Sequence, residues 1–145
     1  MMKLLNKKQK NNGGFSLVEL IVVIAIMVVL VAVLAPLFTR YIESSRRSTD
    51  VQTAVAIANA AKTAMADQKT VTSGEINSDK IGTGHQLDTI SEVPKVSGTT
   101  TYAAKGDSFY IVVNGDTVTV GVNDSANPDL SSESGAQTYK DAQKP

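Results

Sequence analysis

The sequence predicts an α+β fold: a long N-terminal α-helix with a small antiparallel sheet packed on its second half. Three features of the 145-residue chain predict it. Residues 20–38 form an apolar run, and residues 42–65 repeat apolar side chains at helical spacing. Two β-branched stretches between residues 109 and 122 flank an Asn-Gly pair, which is a hairpin signal. The first half of the helix is apolar on all sides and long enough to span a membrane, whereas the second half is one-sided.

A basic segment precedes the apolar run. Residues 1–14 contain four lysines and no acidic residue. From residue 20 to residue 38, 18 of 19 residues are apolar, the exception being Pro36. This length matches the ~20 residues that a helix needs to cross the bilayer core. Because the more positive flank stays in the cytoplasm, we expect the residues after the run to lie outside.

Two ordinary interpretations of the run remain open. A secretory signal peptide would need a small-residue cut, and the tripeptide at 33–35 comes close to one. Pro36 directly after that cut is unfavourable, however, and the run exceeds the usual ~7–15 apolar residues of such signals. A plain single-pass membrane anchor fits both the length and the flanks.

A third interpretation comes from the residues ahead of the run, which read GGFSLVELI at 13–21. This segment resembles the prepilin signal of type IV pilins and type II secretion pseudopilins, and the resemblance extends over residues 7–65. It implies that a prepilin peptidase cuts after Gly14 and methylates the new N-terminus at Phe15. It also implies that Glu19 acts in filament assembly, paired with the free amine of a neighbouring subunit.

Glu19 and Pro36 are unusual residues for an apolar helix. A carboxylate at the edge of such a helix costs a few kcal/mol unless it is paired or still touches water. Cleavage after Gly14 creates an amine one helical turn from Glu19, so the partner could lie in the same chain or in a neighbouring one. Pro36 removes a backbone donor, which predicts a kink or local melt unless the membrane helix ends there.

Helical periodicity resumes after Pro36. Apolar side chains recur every three or four residues, at Ile42, Val51, Ala54, Val55, Ala58, Ala61 and Met65. Charged side chains lie largely off this stripe, at Glu43, Arg46, Arg47, Asp50, Lys62 and Lys69. We therefore predict one helix from residue 15 to about residue 70. For Arg46 and Arg47 we expect exposed or intersubunit ion pairs rather than contacts with DNA.

The head, residues 73–145, has few large apolar side chains and needs the helix stripe to complete its core. The Asn-Gly pair at 114–115 predicts a hairpin over residues 108–122, with alternate valines forming one buried face. The other segments are a third strand at 99–104, a loop region at 74–98, and a loop or frayed tail at 123–145. Many proteins that share the prepilin signal close this region with a disulfide, and a chain without cysteine must hold it in another way.

Composition and spacing argue against a catalytic or metal site. Equal numbers of basic and acidic side chains, 14 of each, give no global reason to expect a nucleic-acid-binding protein. The absence of cysteine excludes a thiolate metal site and a cysteine nucleophile. The single histidine, His85, is interpreted as a solvated loop residue. We therefore expect no enzymatic activity, no cofactor and no metal.

Two further clusters are interpreted as ordinary loop chemistry. Oxygen-bearing side chains lie close together at Asn123, Asp124, Asn127 and Asp129, but their spacing does not match an EF-hand loop. Turns commonly contain this composition. Gly82-Thr83-Gly84 has no predicted strand before it and no helix after it, so it is not a phosphate-binding loop.

The function predicted from these observations is that of a structural subunit of a type IV pilus. Its segments are a cleaved leader at 1–14, an apolar transmembrane and filament-core helix at 15–38, an amphipathic helix at 39–72 and the head. The expected partners are further copies of itself in a helical homopolymer, a prepilin peptidase, an inner-membrane assembly platform, minor pilins and, before assembly, membrane lipid. The precursor is expected in the cytoplasmic membrane with its head outside, and the assembled form in an extracellular pilus or envelope pseudopilus.

Two alternatives stay open at the level of sequence. The first is a pseudopilin of a type II secretion or DNA-uptake machine. We expect nucleic acid as a partner only if the protein belongs to a DNA-uptake filament. The second is a membrane-anchored extracytoplasmic domain that binds a ligand and stays monomeric.

Removal of the leader would take four of the 14 basic residues, leaving 10 against 14 acidic side chains.

Overall fold

The structure, a computed structural model, describes residues 14–82, 84–123 and 128–142. Its elements, in chain order, are α1 (Leu17–Ala66), β1 (Gly74–Glu75), β2 (Phe109–Asn114), β3 (Thr117–Val122) and α2 (Glu133–Asp141). A long N-terminal helix and a small antiparallel sheet confirm the predicted α+β class. The chain divides into two compact units, one ending at Phe38 and the other beginning at Thr39.

The first unit consists of the apolar part of α1. Every residue described from Gly14 to Phe38 is exposed, although nearly all of those in the helix are Val, Ile, Leu, Ala or Met. By length and composition α1 can cross a membrane, and the most apolar part of it is not buried inside the protein. Exposed apolar surface of this extent is typical of a segment that contacts a membrane or another protein.

In the second unit α1 contributes one face to the core. Its buried apolar residues are Val51, Ala54, Ile57, Ala58, Ala60, Ala61 and Ala64. This face is rotated from the predicted stripe: Val55 is 39% exposed, whereas Ile57 is buried. Ala60 and Ala64, which the predicted stripe omitted, also lie on the buried face.

α1 ends at Ala66, four residues before the predicted end. Gln68 has a φ of 61°, and its N–H donates to the Met65 carbonyl over 3.0 Å. The N–H of Lys69 donates to the Ala64 carbonyl over 2.9 Å. This pair of bonds around a left-handed residue is a Schellman motif, which terminates a helix. No glycine marks the stop, so the sequence did not locate it.

The sheet has the strand order β1-β2-β3 with antiparallel pairing throughout. Phe109 pairs with Val122 and Ile111 with Val120, which places these side chains on one face. Asn114 pairs with Thr117, so the turn residues are Gly115 and Asp116 rather than Asn-Gly. Gly115 has a φ of 59°, as the first position of a type II′ turn requires.

The prediction of a third strand at 99–104 was wrong. The third strand is β1, whose Gly74 pairs with Ile111 of β2. Residues 99–104 form a turn instead, in which the N–H of Thr100 donates to the Ala103 carbonyl over 2.9 Å. A two-residue strand has no periodic pattern, which is why sequence did not indicate it.

A single apolar cluster forms the core of the second unit. It joins the α1 face to Phe109 and Ile111 of β2 and to the three alternate valines of β3. Ile76, Ile81, Leu87 and Val96 close it from the segment between β1 and β2. The small side chains of α1 leave room for larger residues from the sheet and loops.

The prediction that residues 123–145 form only loop or frayed end was wrong. Ser132 caps α2, accepting a hydrogen bond from the Gly135 N–H over 3.2 Å. Ala136 and Tyr139 lie on the buried side of α2, and Leu130 is fully buried just before it. The helix was missed because two apolar residues in nine are too few to produce a periodic signal.

Candidate functional site

The segment with the predicted cleavage point lies outside the helix. Gly14, Phe15 and Ser16 are exposed and have no helical structure, and α1 begins at Leu17. The backbone N–H of Ser16 donates to Glu19 Oε2 over 2.9 Å. A carboxylate three residues into a helix that accepts from the N–H of the N-cap is one half of a capping box.

The capping contact gives Glu19 a partner within its own chain. Its carboxylate also lies at the positive end of the helix dipole, which favours a negative charge in the first turn. The partner predicted for Glu19 is an amine, whereas the structure shows a backbone N–H. The signal for the cap was present as Ser16-x-x-Glu19, which is the spacing of a capping box ahead of an apolar run.

Gly14 has no packing role in the described part of the chain. A Cβ built on it meets no heavy atom within 4 Å, and its φ is not one that favours glycine. The fold itself therefore does not require glycine at position 14. A glycine there would let a binding partner approach the backbone closely.

Pro36 lies inside α1, within the exposed apolar stretch. It cannot donate to the carbonyl four residues earlier, so it weakens the backbone ladder at that point. The kink or local melt at this position remains a prediction.

The most buried polar group of the second unit is Asp50, and we call the residues around it the Asp50 cluster. Asp50 Oδ1 accepts the N–H of Ser97 over 2.6 Å. Asp50 Oδ2 accepts the N–H of Gly98 over 2.8 Å and the hydroxyl of Tyr139 over 3.0 Å. The placement of Asp50 off the buried face was wrong: its side chain is fully buried and joins α1 to both the 97–98 loop and α2.

Three more charged residues of α1, Glu43, Arg46 and Arg47, lie in or beside this cluster. The carboxylate of Glu43 accepts the N–H of Thr99, which extends the hold on the same loop. Arg46 pairs with Glu43 over 3.6 Å at the surface. The expectation that Arg47 is exposed was wrong, because only 5% of this residue is accessible. Its Nε donates to the Glu43 carbonyl over 3.4 Å, while Nη1 is buried without a hydrogen-bond partner in the described structure.

Close packing lets the loop reach the Asp50 carboxylate. A Cβ on Gly98 would lie 2.7 Å from Arg47 Cγ and 3.0 Å from Asp50 Oδ2. Only glycine brings the backbone this near to α1. Burial and the neighbouring Asp50 carboxylate both raise the pKa of the Tyr139 phenol. Tyr139 therefore stays a hydrogen-bond donor to Asp50 well into the alkaline range.

A second polar anchor, Asp129, covers the free edge of β3. Its Oδ1 accepts the N–H of Val120 over 3.1 Å and the N–H of Ser131 over 3.0 Å. The N–H of Leu130 donates to the Val120 carbonyl over 2.7 Å. Pairing of the strand edge with the chain that leads to α2 prevents that edge from pairing with another molecule.

Two of the four oxygen-bearing residues at 123–129 lie in the described part of the chain, and both have protein partners. Asp129 binds backbone groups, and the Asn123 side-chain amide donates to the Tyr102 carbonyl over 2.7 Å. Asp124 and Asn127 lie outside the described residues. Within the described ranges no three acidic or histidine side chains are close enough to hold a metal ion.

His85 and the Gly82-Thr83-Gly84 segment show no sign of a ligand site in the described residues. His85 is exposed, and its N–H donates to the Gly82 carbonyl over 3.0 Å. Gly82 and Gly84 have φ values of 92° and 85°, which suit a turn. Thr83 between them lies outside the described residues.

Comparison with known proteins bears on the N-terminal segment. Residues 9–35 match the family model of the prokaryotic N-terminal methylation motif. The chain carries a class III prepilin signal. This match confirms the resemblance drawn from residues 13–21. The exposed, non-helical segment Gly14–Ser16 lies within the matched residues.

A curated relative with similarity over most of the chain supports the same assignment. The chain is 28% identical over 130 residues to the prepilin peptidase-dependent protein A of Clostridium perfringens (strain 13 / Type A). The similarity spans 79% of this chain and 88% of the relative. No solved structure matches the chain. The prepilin signal and the relative together support a prepilin-like protein related to the type IV pilins and pseudopilins.

Proposed function

We propose that this protein is the structural subunit of a type IV pilus, cut after Gly14, methylated on Phe15 and polymerised through the apolar half of α1. The observation that carries the proposal is the apolar surface that directly follows the prepilin signal. Over residues 17–38 every side chain is exposed in the part of the chain that the structure describes. Such a surface suits lipid before assembly and a bundle of like helices afterwards.

Burial of this surface would supply the cohesion of the filament. Full burial of a Val, Leu or Ile side chain is worth about 1.5–3 kcal/mol. The 18 apolar residues in 20–38 could thus contribute tens of kcal/mol before the costs of association are subtracted. The protein itself then performs no catalysis and needs no cofactor.

The processing step is supported by the geometry around Gly14. A protease needs an extended and accessible peptide bond, and the Gly14–Phe15 bond lies before the helix in an exposed stretch. The C. perfringens relative is named for its dependence on prepilin peptidase. We infer that the same class of enzyme acts here.

Cleavage would change the electrostatics around Glu19. In the uncut chain its carboxylate accepts from the Ser16 N–H. The cut creates a positively charged amine on Phe15, one residue from that contact, so a stronger, charge-assisted partner becomes available. We propose that a neighbouring subunit's amine takes this place during assembly, which sets the register between subunits rather than the bulk affinity.

The proposed life cycle places the precursor in the cytoplasmic membrane with its head outside. Its partners would be the peptidase, an inner-membrane assembly platform, minor pilins and finally other copies of itself. The test uses cells with and without the prepilin peptidase, examined by electron microscopy and by blotting of sheared surface material. We expect fibres that contain this protein in cells with the peptidase and no such fibres in cells without it. Fibres that persist without the peptidase would contradict the proposal, and processing without any long fibre would reassign the protein as a pseudopilin.

A further inference from the structure

The residues directly after the apolar stretch carry a surface that differs from the rest of α1. Arg40 and Tyr41 are both exposed, and Tyr41 is 74% accessible. Ion pairs among the described side chains join Arg46 to Glu43 and Lys69 to Asp88, and Arg40 forms none. Within the described residues, an arginine without an ion pair and an exposed phenol therefore lie side by side, two and three residues beyond Phe38, where the apolar stretch ends.

This pair has the chemistry of a membrane interface. Tyrosine is enriched where hydrocarbon meets headgroups, because its ring is apolar and its hydroxyl is polar. An arginine side chain can extend its guanidinium to the headgroups and bind a phosphate through two parallel hydrogen bonds. A phospholipid headgroup satisfies both side chains at once.

We propose that Arg40 and Tyr41 form an anchor that binds phospholipid headgroups of the outer leaflet and thereby sets the depth of the precursor in the membrane. The inference rests on the membrane-bound precursor of the proposed function. It adds a binding surface to residues for which the prepilin signal assigns no role.

An anchor at Arg40 and Tyr41 would also fix the position of Glu19 relative to the membrane, because the length of the apolar helix separates them. A hydrocarbon core of ~30 Å corresponds to about 20 helical residues at 1.5 Å each. Counted back from Phe38, twenty residues reach Glu19. An anchor just beyond Phe38 therefore places the Glu19 carboxylate at the inner boundary, in contact with water, and leaves the Gly14–Phe15 bond outside the hydrocarbon on the cytoplasmic side.

Because the natural chain has no cysteine, a single introduced thiol reports its own exposure to water. The full-length precursor is placed in phosphatidylglycerol–phosphatidylethanolamine vesicles and treated with a membrane-impermeant thiol reagent. The reporters are Leu37→Cys, inside the predicted boundary, and Ser44→Cys, outside it. Each is combined with Arg40→Leu/Tyr41→Leu, which extends the apolar run to Ile42, or with the control Arg46→Leu, at an exposed arginine already paired with Glu43.

We expect the Ser44 thiol to react at least about tenfold faster than the Leu37 thiol in the otherwise natural chain. The Arg40→Leu/Tyr41→Leu change should slow Ser44 labelling by about fivefold or more, since the boundary moves outward, while Arg46→Leu leaves it unchanged. An unaltered Ser44 rate in the double variant would overturn the anchor alone. Equal rates at both reporters in the otherwise natural chain would instead contradict membrane placement, and with it the proposed function.

Discussion

The hydroxyl of Tyr139 donates a hydrogen bond to Asp50 Oδ2 over 3.0 Å, joining two residues that lie 89 positions apart in the chain. Both side chains are fully buried. The contact fastens α2 to α1, and Asp50 at the same time holds the loop at 97–98. In a chain without cysteine, this polar contact provides the long-range link that a disulfide would otherwise give to the C-terminal region.

The first prediction concerns the removal of Asp50. Asp50→Ala leaves two loop N–H groups and the Tyr139 hydroxyl buried without an acceptor. Unsatisfied buried donors cost about 1–3 kcal/mol each, so we expect a loss of about 3–5 kcal/mol in the free energy of unfolding. Urea unfolding of the full chain in detergent micelles, followed by the near-ultraviolet circular dichroism of the tyrosines, measures it.

The matched control is Arg47→Met, one helical turn away on α1. The guanidinium is buried and its Nη1 has no described hydrogen-bond partner, so a methionine of similar length removes a poorly compensated charge. We expect stability to stay within about 1 kcal/mol of the natural chain or to rise. If Arg47→Met were as damaging as Asp50→Ala, the cluster would depend on its charge balance rather than on the acceptors of Asp50.

A second prediction follows from the raised pKa of Tyr139. The phenol ionises in the unfolded chain near its usual value of 10, but is kept protonated in the folded chain by burial and by the Asp50 carboxylate. The stabilisation of the folded chain by the protonated Tyr139 phenol is therefore complete below pH 10 and is lost as the pH rises above that value. The loss should reach about 1.4 kcal/mol per pH unit for one proton.

Tyr139→Phe tests the source of this alkaline decline. The variant should be less stable at neutral pH by about 1.5–3 kcal/mol, the worth of a hydrogen bond to a charged group. Between pH 10 and 12 its stability should fall less steeply than that of the natural chain. Parallel curves for the two proteins would mean that another group causes the decline.

A third prediction tests the docking of α2. A Cβ on Gly135 would lie 2.1 Å from the backbone oxygen of Asp129, which cannot move without breaking the cover on β3. Gly135→Ala should therefore cost about 1–3 kcal/mol or more and increase amide hydrogen exchange in α2. The neighbouring exposed Ser134→Ala is the control and should change stability little. Equal exchange in both variants would show that α2 is not held by this close approach.

The elements that sequence predicted well are those with strong periodicity. The apolar run, the amphipathic half of α1 and the alternating valines of β3 each repeat a pattern that one physical rule explains. Asp50 was misplaced for the opposite reason: a charged residue is normally exposed, and the three donors that make its burial favourable come from distant segments. Only the folded chain brings those donors together.

The features of the candidate site also fall into those that a local sequence motif indicates and those that depend on contacts between distant residues. The prepilin signal is a local motif, so residues 13–21 were enough to indicate it, and the match to residues 9–35 confirms it. The capping contact between Ser16 and Glu19 is also local, and the Ser-x-x-Glu spacing indicates it. α2 was not predicted because the contact that fastens it, from Tyr139 to Asp50, joins residues 89 positions apart.

A fourth prediction separates the two roles of Glu19. Glu19→Gln keeps an oxygen that can accept from the Ser16 N–H but removes the charge, whereas Glu19→Ala removes both. If the charge pairs with an amine during assembly, both variants should remain in the membrane and both should lower filament yield by about tenfold or more. Normal filaments from Glu19→Gln would restrict the residue to helix capping.

The mass of the mature N-terminus is the most direct test of the central claim, that this chain is a processed prepilin. Surface protein sheared from cells and analysed by intact-mass and peptide mass spectrometry should begin at N-methylated Phe15. It should have lost residues 1–14 and with them four positive charges. A protein that retains Met1, or one that begins at Pro36 as an ordinary signal peptide would leave it, would contradict the account.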